Sequence, residues 1–227
     1  APDGTNTASR LVEDTQNGAH HINRNNISFT AGTTYTLTGY YKSAEKTRVR
    51  LQFGNNQVGN VFPSSTNYGV TFDISNGTII VTGSSVSSAN ITSVGNGWYR
   101  CSVTAVAQAT ATEQIFFAFL LISGGIITQY QGDGTSGIYI WGAQLEAGAF
   151  PTSYIPTTAS TVTRSADLAS ITGTNFSSWF NQTEGTIYVN NRVPYTPNPN
   201  VSLYFIIFGI NAGNRHSIEQ TTANGLT

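Results

Sequence analysis

Polar and apolar residues alternate along this chain in short runs, and the runs are separated by glycine, asparagine and serine. Residues 33–42 (TTYTLTGYYK) show the clearest case. Tyr35, Leu37, Gly39 and Tyr41 fall on one face of an extended strand, and Thr36, Thr38, Tyr40 and Lys42 on the other. Residues 48–53 (RVRLQF) alternate as cleanly, with Val49, Leu51 and Phe53 inward and Arg48, Arg50 and Gln52 outward. Residues 98–106 (WYRCSVTAV) put Tyr99, Cys101, Val103 and Ala105 on the core face and Trp98 and Arg100 on the other. Residues 114–122 are nearly all apolar, as a central strand covered on both faces would be.

Weaker strand signals fill the gaps. Residues 9–14 and 19–23 flank the turn-like Gln16-Asn17-Gly18, and residues 69–74 and 78–81 flank Ser75-Asn76-Gly77, whose Asn-Gly pair suits a tight hairpin. Residues 137–156 (GIYIWGAQLEAGAFPTSYIP) read as a closing strand that lies inside a sheet, stopped by Gly148 and Pro151. Pro156 keeps the chain around it extended, as a tether lying against that strand. No stretch has a convincing helical period. About eight or nine strands at this spacing predict an all-β fold, a β-sandwich.

The pattern also divides the chain. Residues 1–150 form one β domain and residues 151–170, rich in Ser and Thr, an extended tether or linker. Residues 171–227 begin a second β module, with strands expected over 185–193 and 201–210. That stretch is short against the roughly 100 residues of an independent sandwich, so the second module is expected to be incomplete.

Composition narrows the function classes. Charged residues make up 9% of the 227 and the formal net charge is −1, which leaves no electrostatic footprint for nucleic acid. Gly, Ser, Thr and Asn take the place of charge while aromatics stay at 11%, enough for a core. Such surfaces suit a virion, a cell wall or another extracellular setting. No apolar run has the length of a membrane-spanning helix. Cys101 is the single cysteine, so no intrachain disulfide is available, and its place on a core face makes it a small buried hydrophobe.

Catalytic signals are weak. The eleven carboxylates are dispersed, and nothing marks two of them as the flanking pair of a glycosidase. His20 and His21 are neighbours on an expected strand, so they point to opposite faces and cannot grip one metal together. Residues 132–137 (GDGTSG) match GxGxxG, but the loop runs into a strand rather than opening a helix, which makes it a turn. No metal, cofactor or enzymatic reaction is assigned.

The closing stretch GIYIWGAQLEAGAFPTSYIPT is followed by Thr161, Thr163, Arg164, Ala166 and Asp167 in a TxTRxAD pattern. The chain also carries APDGTNTASRLVED, FTAGTTYTLTGYYKSA, RVRLQF and ITSVGNGWYRCSVTA in that order. This ordered set resembles a module of tailed-phage and prophage virion proteins, over roughly residues 1–155. Such modules are similar to carbohydrate-binding modules with a galactose-binding-like jelly roll. The downstream EGTIYV of residues 184–189 looks like the opening strand of a concanavalin/laminin-G-like sandwich. The resemblance implies a jelly-roll sandwich in a non-catalytic virion part, such as a tail fibre, tail appendage or capsid surface protein. It also implies other virion proteins and copies of itself as partners, and host-surface glycan as a possible ligand.

A sugar site on a sandwich combines an aromatic ring, which stacks on the C–H face of a pyranose, with planar polar side chains for its hydroxyls. Alternation offers Tyr40 and Lys42 on one strand, Arg48, Arg50 and Gln52 on a second, and Trp98 and Arg100 on a third. If these strands are neighbours, the seven residues form a shallow carbohydrate-binding face; the alternative is that they are cross-strand pairs covering an exposed sheet or contacts to a neighbouring subunit. Trp141, inside an apolar run, is read as core.

Overall fold

The alternating runs become two five-stranded antiparallel sheets packed face to face. The structure is a computed structural model. It describes residues 1–54, 60–121, 129–157, 160–164, 173–179, 203–211 and 214–220, with no side-chain placement for Ser65, Phe176 or residues past 200. The chain divides into two compact units, Ala1–Ser160 and Thr161–Thr227.

Among the described residues the first unit holds twelve strands: β1 (Ser9–Val12), β2 (Asn17–Ala19), β3 (His21–Phe29), β4 (Thr34–Ser43), β5 (Arg48–Phe53), β6 (Gly69–Asp73), β7 (Thr78–Thr82), β8 (Ser88–Gly95), β9 (Trp98–Val106), β10 (Ala111–Leu120), β11 (Gln129–Gln131) and β12 (Gly137–Ala147). One sheet runs β1-β12-β4-β9-β8 and the other β3-β10-β5-β6-β7. The chain crosses between sheets in the order of a jelly roll, with β7 and β8 as an added strand at the edge of each. In the second unit, one helical turn (Thr174–Ser177) and the hairpin of β13 (Leu203–Asn211) with β14 (Asn214–Gln220) are described. The strand expected over 185–193 lies outside the described residues.

The inward sets are those the alternation marks. Leu37, Tyr41, Val49, Leu51, Phe53, Cys101, Val103 and Ala105 are all at most 1% exposed and belong to one core. Burying each large apolar side chain contributes about 2 kcal/mol. Phe29, Phe53 and Phe62 close one end of this core with rings 4.7–6.5 Å apart. β10 is central and covered on both faces, with Ile115, Phe116, Ala118, Phe119 and Leu120 buried. The Asn-Gly hairpin forms as expected: Gly77 takes φ +75° and its amide donates to Asp73 O at 3.0 Å.

Two local readings need correction. The expected turn at Gln16-Asn17-Gly18 contributes β2, which pairs with β11 in a two-stranded ribbon. Gly132 allows that close packing, because a Cβ there would collide with the Asp14 carbonyl. β8 (SANITSVG) escapes sequence reading because, as a mostly exposed edge strand, it buries too little to show an apolar period.

Candidate functional site

The seven residues proposed as one face are placed on two. β4 and β9 are neighbours, and their register sets Tyr40 opposite Arg100 and Lys42 opposite Trp98. β5 belongs to the other sheet, so Arg48, Arg50 and Gln52 lie across the sandwich from them. No single cleft can hold the whole set.

Neither half is an open sugar platform. Arg50 is 0% exposed and Gln52 6%. The Arg50 guanidinium donates from Nε to Gln52 Oε1 (2.9 Å) and from Nη2 to Thr66 O (2.8 Å), and it lies over Gly69, where any side chain would strike it. Burial pushes this guanidinium down to about 10, which leaves it charged at neutral pH. Arg48 faces Asp73, with Nε 4.0 Å from Oδ2. The outward Arg50 is therefore covered, with Thr66 of the 60–68 segment bonded to it, rather than exposed to water.

On the other sheet the cover is the tether. Thr36 and Thr38 point outward from β4, yet they are 0% and 1% exposed, and Trp98 is 5%. Thr36 Oγ1 donates to Gly148 O (2.8 Å) and Arg100 donates to Thr152 O. Glu146 accepts from the Thr152 amide (3.1 Å) and its hydroxyl, and Gln144 Oε1 accepts from the Ile155 amide (2.9 Å). Gln144 and Glu146 pair with Thr38 and Thr36, so they stand on the outer face and draw the tether onto it. Arg100 also lies 5.5 Å from the Tyr40 ring centroid as a cation–π partner.

The open concave site lies beside these residues, and it contains Trp141. β1 pairs with β12 only as far as Ser9 opposite Ile140, so beyond that point the edge of β12 faces the N-terminal segment 3–7. Between Trp141 and Gln144 the β12–β4 register shifts, and Gly142 takes φ +60° at this bulge. A cleft of about 510 Å³ opens there, within the range of small-molecule sites. Its apolar floor comes from Ile22, Tyr41, Phe117 and Ile140, and its aromatic wall from Trp141 and Tyr154. Asp3, Thr5, Thr7 and Ser9 supply the polar rim.

Trp141 is half-buried rather than core, which corrects the sequence reading. Its partner across the ladder is Tyr40, an outward residue, so the apolar run does not turn this ring inward. The ring is held by Tyr40 edge-on (centroids 5.2 Å) and by Tyr154 (4.6 Å). Its Nε1 donates to Thr7 Oγ1 at 2.9 Å. The floor is fixed as well: Phe117 sits where β10 shifts register, and the Tyr41 hydroxyl donates to its carbonyl at 2.5 Å. Burial pushes the Tyr41 phenol well up, so it stays a neutral donor.

A second polar cluster leaves no mark in the sequence. Glu13, 3% exposed, accepts from the Tyr130 hydroxyl (2.5 Å) and the Asp133 amide (2.9 Å), and it pairs with Lys46 (2.9 Å). His20 is buried beside it, with Nδ1 3.3 Å from Asp14, while His21 is exposed, so the two histidines do face apart. The GDGTSG loop is a turn, closed by Asp133 Oδ1, which accepts from the amides of Thr135 and Ser136 (2.7 Å each). Among the described residues no group of three or more His, Cys, Asp or Glu is placed to hold a metal ion.

No protein-family model matches this chain, and no curated protein does.

Proposed function

We propose that the protein is a non-catalytic adhesion and assembly part of a tailed-phage virion, and that the cleft beside Trp141 takes one ring of a host-surface glycan. The observation that carries the binding reading is the cleft itself. A fixed indole and a tyrosine flank an apolar floor, and a carboxylate and hydroxyls line the rim. An indole wall suits the C–H face of a pyranose and rim oxygens suit its hydroxyls. The resemblance of residues 1–155 to phage virion modules supplies the setting. The tether hydrogen-bonded across β4 and β12 supports an assembly role, because it gives the first unit a braced exit. Partners under this reading are other virion proteins, further copies of the chain and the glycan.

A glycan array with the whole chain tests the binding reading, run beside Trp141→Ala and beside Trp141→Phe, which keeps a ring. Selective binding that Trp141→Ala loses and Trp141→Phe partly keeps, with all three proteins folded, is the expected result. Binding unchanged in folded Trp141→Ala overturns the assignment of the cleft.

A further inference from the structure

The rim hydroxyls of this cleft do not point at random. Thr5 Oγ1 donates to Asp3 Oδ1 at 2.7 Å, and a hydroxyl has one proton. In the 2.7 Å contact between Thr5 Oγ1 and Thr7 Oγ1, Thr7 must therefore be the donor. Thr7 in turn accepts the Trp141 indole proton. The series runs one way, from Trp141 N–H to Thr7, from Thr7 to Thr5, and from Thr5 to the Asp3 carboxylate. Every proton in it is committed inside the protein, including that of the indole, the one N–H donor of an aromatic wall. What the series turns to a ligand is lone pairs.

The charge agrees. Asp3 carries the one formal side-chain charge among the residues lining the cleft, and no Lys, Arg or His side chain lines it. Hydrogen bonds from Thr5 hold the Asp3 carboxyl below its usual range, so it is ionised at neutral pH. Ser9 and Tyr154 keep hydroxyls that can rotate to donate or accept. They can serve a sugar hydroxyl, but they cannot neutralise an anion.

We propose that the cleft selects ring ligands that donate hydrogen bonds, favouring an amine-bearing sugar over a neutral one and rejecting sugars with a carboxylate or phosphate. The proposal rests on the reading of the cleft as a glycan site. An ammonium gains attraction from Asp3 and from the indole face, whereas a carboxylate meets Asp3 and the two acceptor hydroxyls of Thr5 and Thr7, with no Lys, Arg or His side chain in the lining to offset them. Charge contacts at an exposed rim are weak and screened, so amine and acid should differ about tenfold in affinity at low salt.

Titrating the whole chain with glucose, glucosamine and glucuronate at pH 6.5, followed by ligand-detected NMR, separates the outcomes. The expected order is glucosamine, then glucose, then glucuronate, with the spread narrowing as salt is raised. Asp3→Asn should bring glucosamine down to glucose. Thr7→Val, which frees the indole N–H, should raise glucuronate relative to glucose. Glucuronate binding as well as glucosamine, or an order unmoved by Asp3→Asn, overturns the selectivity while leaving the cleft a glycan site. No binding of any of the three to folded protein overturns the glycan site and the selectivity together.

Discussion

Glu13 is a buried charge that joins three segments of the fold. Its carboxylate gathers the Tyr130 hydroxyl, the Lys46 ammonium and the Asp133 amide, and so ties β11 and the 132–136 turn to the end of β1. Lys46 also lies 4.8 Å from the Tyr130 ring centroid, so the cation is held between a carboxylate and a π face. Removing one partner of a buried pair leaves the other charge uncompensated. Glu13→Gln should destabilise the protein by about 3 kcal/mol in urea unfolding, with Lys46→Met costing less because it leaves the carboxylate two neutral donors. None of this is visible as a motif, since Glu13, Lys46 and Tyr130 are far apart in sequence and lie on three different segments of the fold. The burial of Arg50 is hidden for a related reason. Alternation tells which face of a strand a side chain takes, but not whether a distant segment lies over that face. Gly69 is the one local sign, a glycine opposite Gln52 that leaves room for a guanidinium.

At the scale of elements, the tether is the clearest link between sequence and site. Proline and glycine stop β12, so the chain cannot continue the ladder. Gln144 and Glu146 then stand at the outward positions from which side chains can hold returning backbone. That the tether lies against the closing strand was legible from Pro151, Pro156 and the strand before them. That it buries Thr36 and Thr38 was not, because threonine on an outward face usually means solvent. In hydrogen exchange, the Thr152 and Ile155 amides should be protected in the native chain. In a Gln144→Ala, Glu146→Ala variant both should exchange at least about tenfold faster while β4 and β9 amides are unchanged, a local opening rather than an unfolding. Equal protection in both proteins would mean that the two side chains do not hold the tether. The bulge at Gly142 could also be suspected from a glycine inside an apolar strand. Its consequence, an open edge beside Trp141, depends on where β1 stops, which no local signal gives.

For the whole first unit, the all-β sandwich and its inner faces were legible because burial imposes a period of two on every paired strand. The candidate face was only half legible. Tyr40 and Arg100 do meet, as do Lys42 and Trp98, but strand order decides neighbours, and alternation within a strand carries no information about order. β5 follows β4 in sequence and lies in the opposite sheet because a jelly roll crosses over between them. The same crossing leaves one edge of β12 short of a partner, and the cleft occupies that place. The most direct measurement is a ¹⁵N-resolved titration of the indole N–H signals with glucosamine, with Trp141 assigned through Trp141→Phe. The Trp141 signal should shift and saturate while the signal of Trp98, which is buried and does not line the cleft, stays in place. Saturable shifts confined to other residues, with the Trp141 signal still, would contradict the account.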